Sequence, residues 1–131
     1  MTMNSPQRPR GSGPHTTEPV LTAGLPPEEA DATLLFVHGR GASAEGILGL
    51  RDELHVAHTA AIAPQATGNT WYPQSFLAPL AANQPWLDAA LQRLESLVTE
   101  LVARGVPTER LVLLGFSQGA CLTLEFAARH P

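Results

Sequence analysis

Leu111-Val112-Leu113-Leu114-Gly115-Phe116-Ser117-Gln118-Gly119-Ala120 is the stretch on which the fold turns. Four consecutive apolar residues predict a short strand covered on both faces, as in a parallel sheet. Gly115 to Gly119 then reverses the chain, and Ala120 to Arg129 has helical composition, with Cys121, Leu124 and Ala128 on one stripe. A strand, a sharp turn and a helix can lift a serine above the end of a sheet. The turn crowds the backbone, so small residues are needed two before and two after that serine. Gly115 and Gly119 occupy those places around Ser117.

The chemistry of such a turn follows from its shape. A serine hydroxyl is a weak nucleophile until a neighbouring base removes its proton. When it attacks a carbonyl, charge develops on oxygen, and one well-aimed main-chain donor can be worth about 3 kcal/mol in the transition state. The amide of Gln118 is one such donor, because it opens a helix whose first N–H groups are unpaired and whose dipole favours an anion. The plainer alternative is a serine that caps an ordinary helix.

Working back from the turn, the other strands and helices fall into order. Pro85 to Arg104 predicts the clearest helix, with Leu87, Leu91, Leu94, Val98 and Leu101 as one apolar stripe. Pro85 suits its first turn and Gly105 its termination. Residues 65–84 show no period and read as a long loop, a segment type that is often functional. Thr59 to Ala63 and Thr33 to Val37 read as buried strands, residues 43–55 as a helix, and Thr17 to Ala23 as a short first strand. Alternating strands and helices predict right-handed crossovers, an α/β fold and a mostly parallel sheet with helices on both faces. Residues 1–16 are rich in Pro, Gly, Ser and Thr and are expected to be a disordered tail.

His38-Gly39-Arg40-Gly41 follows the strand that ends at Val37, where a second main-chain donor belongs. The amide of Arg40 is the candidate, and glycines let the loop approach closely. The Arg40 guanidinium either fixes the loop or lies in solvent. Gly39-x-Gly41 with Gly46 lacks dinucleotide-fingerprint spacing, and no lysine follows to make a phosphate loop, so no cofactor is expected. His38 sits on the donor side of the site and is read as structural. His55 and His58 flank a connection, His130 lies past the helix, and His15 falls in the tail. None is placed as the base, and the five histidines form no metal-ligand pattern. Glu125 lies about 12 Å along the helix from Ser117, and Asp88 and Glu95 belong to another helix's polar side.

Bulk properties narrow the class. The 131 residues suit one domain of modest size, and 44% hydrophobic content is ordinary for a folded chain. Eight arginines, no lysine and twelve acidic residues give a net charge of −4 without a basic cluster, so no nucleic-acid partner is expected. The single cysteine, Cys121, excludes an intrachain disulfide. Proline and glycine interrupt the first segment, so it is expected to be neither a secretory signal nor a membrane span. A cytoplasmic location is the default, with no stable membrane insertion.

The chain resembles the phospholipase/carboxylesterase family of α/β-hydrolases, which includes acyl-protein thioesterases. The resemblance rests on residues 35–41 (LFVHGRG), 63–65 (APQ), 69–72 (NTWY) and 113–120 (LLGFSQGA), in the family's order, and covers about residue 31 onward. It implies a metal-free serine esterase acting on short acyl or aryl esters, with thioesters, lysophospholipids or dienelactones as alternatives. A noncatalytic scaffold protein is the reading from another class. Ser117 matches the nucleophile, Arg40 and Gln118 match the oxyanion-hole amides, and Trp71, Tyr72 and Phe76 match a loop beside the substrate cleft. Packing of that loop is the other role open to these aromatics. Family members place the catalytic aspartate and histidine well after the nucleophile. On this reading residues 17–131 are the N-terminal part of the domain, the triad partners lie beyond Pro131, and the chain is either a fragment or a true short product. The strand at Leu111 to Leu114 would then have a bare edge, through which a homodimer or aggregation is expected.

Overall fold

The computed structural model describes residues 13–54 and 56–130. A four-stranded sheet is formed by β1 (Val20–Gly24), β2 (Ala32–Val37), β3 (Thr59–Pro64) and β4 (Leu111–Gly115). Its spatial order is β1-β3-β2-β4. β2 pairs in parallel with β3 and with β4, whereas β1 runs antiparallel to β3, with Val20 opposite Pro64 and Gly24 opposite Ala60. The fold is therefore α/β with a mixed, mostly parallel sheet. Two parallel neighbours bury β2 completely from Thr33 to Val37, which is why its sequence is continuously apolar.

Side-chain alternation along β2 divides the core into two layers. Leu35 and Val37 join Ile62, Leu91, Leu94, Leu101, Leu122 and Phe126 on one face. Leu34 and Phe36 join Ala44, Ala61 and Ala63 on the other. Helices cover both faces. The expected helix over 43–55 is two short ones, α1 (Ala44–Leu48) and α2 (Leu50–Leu54), with Gly49 at the break. Ser43 caps α1 by accepting a bond from the Gly46 amide at 3.0 Å.

The long helix α3 (Trp86–Ala103) has the expected stripe, extended by Ala90 and Leu97, while Val98 is only half-buried. It ends in a Schellman motif: Val106 N–H reaches Leu101 O at 3.0 Å and Gly105 N–H reaches Val102 O at 2.9 Å. Gly105 takes φ +92°, as this cap requires.

Helix α4 (Gln118–Arg129) corrects the sequence reading. Its buried residues are Gln118, Gly119, Leu122, Thr123 and Phe126. Leu124 is 71% exposed, Ala128 is exposed and Cys121 is half-buried. A helix of mixed composition has no unique apolar face, and here the preceding turn fixes its phase.

A second correction concerns the N-terminal segment. Residues 1–12 of the expected tail lie outside the described residues, as do His55 and Pro131. Residues 13–16 are ordered against the body, and His15 is fully buried, because its ring finds hydrogen-bond partners and two indoles in the core.

Candidate active site

Ser117 stands between β4 and α4 with φ 57° and ψ −116°, and it is exposed. This is a sparsely populated region for any residue with a side chain. The turn is held from both sides. Phe116 N–H donates to Val37 O at 3.2 Å, Gly119 N–H to Phe116 O at 2.9 Å, and Cys121 N–H to Ser117 O at 3.1 Å. The glycines are required by volume. A Cβ at Gly115 would overlap the Gly119 carbonyl and lie 2.6 Å from Ala120 Cα; one at Gly119 would overlap the Val37 and His38 carbonyls. The same contacts press the start of α4 onto the end of β2.

The loop after β2 lies directly against this turn. A Cβ at Gly39 would be 3.0 Å from Phe116 O and 3.3 Å from Ser117 Cβ. Arg40, the next residue, is exposed. Among the described residues, neither the Arg40 nor the Gln118 main-chain N–H donates to a protein acceptor. Gly41, at φ +79°, turns the loop away and donates to Asn69 O at 2.7 Å. Ser117 and the amide-bearing residues 40 and 118 thus meet at one junction.

His38 holds that junction and is unsuited to act as its base. The ring is buried; Nδ1 donates to Gly39 O at 2.8 Å and Nε2 accepts from Ala66 N–H at 3.1 Å. Burial pushes its pKa below the usual histidine value, against the opposing effect of the Gly39 bond. With both nitrogens committed, the neutral ring shapes the loop.

The Arg40 guanidinium takes the loop-fixing role. It donates to Pro73 O at 2.7 Å and Gln74 O at 3.0 Å. Asn83 secures the same segment, accepting from Gln74 N–H at 2.6 Å and donating to Ser75 O at 3.1 Å. Gln118 contributes its side chain as well. Its Oε1 accepts from Trp71 N–H at 2.8 Å and its Nε2 donates to Tyr72 O at 2.8 Å. Gln65 ties Asn69 to the start of α1, accepting from Ala44 N–H at 2.9 Å. These amide side chains gave no signal in a pattern of apolar periods. Their trace is that residues 59–87 contain no charged or histidine side chain, so the loop's own polar side-chain contacts are made by amides and hydroxyls.

The aromatic trio divides. Trp71 and Tyr72 are fully buried in the core, and the Trp71 indole donates to His38 O at 2.9 Å. Both rings pack in the core, and neither presents surface on the loop. Burial foremost raises the Tyr72 phenol to about 12, so it stays protonated at neutral pH. Phe76 is 44% exposed, beside Leu77 at 91% and Leu80 at 60%.

The remaining ionisable groups are elsewhere. His58 is exposed before β3. His130 stacks on Phe126 at the far end of α4, with Nε2 3.6 Å from Glu95. Glu125 pairs with Arg129 at 2.8 Å, and Asp88 bonds to Gln84. No group of three or more metal-ligating side chains occurs among the described residues, and no described helix is long and apolar enough to cross a membrane. A cleft of about 560 Å³ runs along α3 past Thr16, Arg93 and Glu100, away from Ser117.

Residues 23–131 match the family model for phospholipase/carboxylesterase. Acyl-protein thioesterase 1 of Yarrowia lipolytica (strain CLIB 122 / E 150) is 34% identical over 110 residues, covering 71% of this chain and 48% of that protein. Lysophospholipase-like protein 1 of Mus musculus is 28% identical over 118 residues, covering 76% and 49%. The crystal structure of a phospholipase/carboxylesterase from Dyadobacter fermentans DSM 18053 superposes with a TM-score of 0.83 at 45% identity, over 86% of this chain and 54% of that one. The chain spans about half the length of the curated relatives it matches.

Proposed function

The chain belongs to the phospholipase/carboxylesterase family of α/β-hydrolases, and from that premise we propose that Ser117 is the nucleophile of a serine esterase that cleaves acyl esters through an acyl-enzyme. The observation that carries this reading is the exposed, strained Ser117 beside the amides of Arg40 and Gln118, which have no acceptor among the described residues. Ser117 Oγ attacks the carbonyl carbon while a base takes its proton. The carbonyl oxygen, now negative, receives the two amide bonds. Collapse expels the alcohol, which recovers the proton, and base-activated water then attacks the acyl-serine to release the acid.

The family names of the relatives span esters, lysophospholipids and acyl-protein thioesters, and each presents an acyl carbonyl to the same centre. Phe76, with exposed Leu77 and Leu80, offers apolar surface on the loop tied to Arg40 and so forms our candidate for the acyl side of the cleft. No described histidine is placed as the base: both nitrogens of His38 and of His15 are occupied, His58 lies before β3, and His130 lies at the far end of α4. Hence the 131-residue chain is expected to show at most trace turnover of 4-nitrophenyl esters, and slow covalent modification of Ser117 by a fluorophosphonate that is lost in Ser117→Ala. Failure of the fluorophosphonate to modify Ser117 in a product of the relatives' full length would remove the nucleophile assignment and favour a noncatalytic scaffold. Rapid turnover abolished by Ser117→Ala would place a working base within these residues.

A further inference from the structure

Residues 13–18 precede the stretch matched by the family model, yet they reach the loop that supports the site. His15 is fully buried. Its Nε2 lies 2.9 Å from Trp71 O, which can only accept, so Nε2 carries the proton. Nδ1 therefore accepts from Thr67 N–H, at 3.0 Å. The His15 main-chain N–H donates to Thr67 Oγ1 at 2.8 Å, and that hydroxyl donates to Glu18 at 3.2 Å. The ring packs 4.9 Å from the Trp71 ring and 5.4 Å from that of Trp86. Trp71 in turn holds the Gln118 side chain through its main-chain N–H and the His38 carbonyl through its indole.

We propose that His15 is a positioning residue: a neutral imidazole clamps residues 67–71, through them steadies the amides of Arg40 and Gln118, and lets go when it is protonated. The proposal rests on the reading of Ser117 and those amides as the reaction centre. Protonation puts a hydrogen on Nδ1, facing the Thr67 N–H, so a donor meets a donor and the bond is lost. The charged groups facing the ring are Glu18 on its own segment, which favours the charged form, and Arg93 of α3, which opposes it; His38, titratable, opposes it as well. Burial outweighs these and holds the ring below the usual histidine value, with the Trp71 carbonyl bond opposing. The sign follows. The unfolded chain takes up the proton near the ordinary value and the folded chain only at lower pH. The clamp's contribution to stability is complete above about 6.5 and declines as pH falls below it.

The chain's two tryptophans, Trp71 and Trp86, both touch His15, so their emission reports its charge. Between pH 7.5 and 5, wild type should show a reversible fluorescence transition that His15→Gln lacks. Glutamine keeps a donor for Trp71 O and an acceptor for Thr67 N–H without titrating. At pH 7.5, His15→Ala should speed amide exchange at Thr67 and Trp71 at least tenfold while leaving Leu35 and Ile62 in the sheet unchanged; His15→Gln should restore slow exchange. A transition that persists unaltered in His15→Gln assigns the titration to His38 and overturns the proposal, as does undiminished protection at Thr67 and Trp71 in His15→Ala. If the alanine variant does not fold, the glutamine titration decides. Neither readout requires Ser117 to react, so failure here is separable from failure of the esterase reading.

Discussion

Ser117 pays a conformational cost to stand where it does. A residue with a side chain at φ 57°, ψ −116° is strained by about 1–3 kcal/mol. Glycine would relieve that strain but widen the unfolded ensemble by about 0.4–1 kcal/mol. Ser117→Gly is therefore expected to stabilise the chain by about 1 kcal/mol in urea unfolding while abolishing fluorophosphonate modification. Ser117→Ala, which keeps the Cβ, should leave stability within about 0.5 kcal/mol. A loss of stability in the glycine variant would show that the turn is unstrained at this position. The flanking glycines were legible because their requirement is local to the turn. The Gln118 side chain and His15 were not, since their partners lie 47 and 56 residues away in sequence. His15 was further masked by the Pro- and Gly-rich composition around it.

Helices α3 and α4 show why the same pattern rule succeeded once and failed once. The stripe on α3 recurs over about four turns against polar positions, so only one face can turn inward. In α4 apolar residues occupy several faces, and the close approach of Gly119 to the end of β2 selects among them. The sequence stripe makes Leu124 a core residue; the structure leaves it 71% exposed, whereas Leu94 of α3 is fully buried. Leu94→Ala should cost about 2–5 kcal/mol, and Leu124→Ser should stay within about 0.5 kcal/mol, both read by chemical denaturation. A large loss at 124 would contradict the observed helix phase. The split of residues 43–55 has a similar origin, because Gly46 and Gly49 weaken a continuous helix.

The whole sheet was legible in its strand order along the chain and in its parallel centre. The antiparallel pairing of β1 was not, because a short strand's direction depends on how its connection crosses the molecule. Among the described residues β4 pairs only with β2, so its other side is an edge, flanked by Val112 at 40% and Phe116 at 68% exposure. Bare apolar edges invite pairing with another chain, and a charge there discourages it. We expect the chain to self-associate in analytical ultracentrifugation and Val112→Lys to shift it toward monomer without altering its unfolding midpoint. A wild-type chain that stays monomeric as concentration rises would refute this.

The segment from Pro73 to Asn83 is moored at both ends, by Arg40 on one side and Asn83 on the other, while Leu77 between them touches almost nothing. An insertion at its apex would leave both moorings in place. On the proposed esterase reading, the span would then be recut for a longer or shorter hydrocarbon tail while the chemistry beside it kept its shape. Catalytic power and substrate choice would in that case evolve on separate pieces of the same backbone.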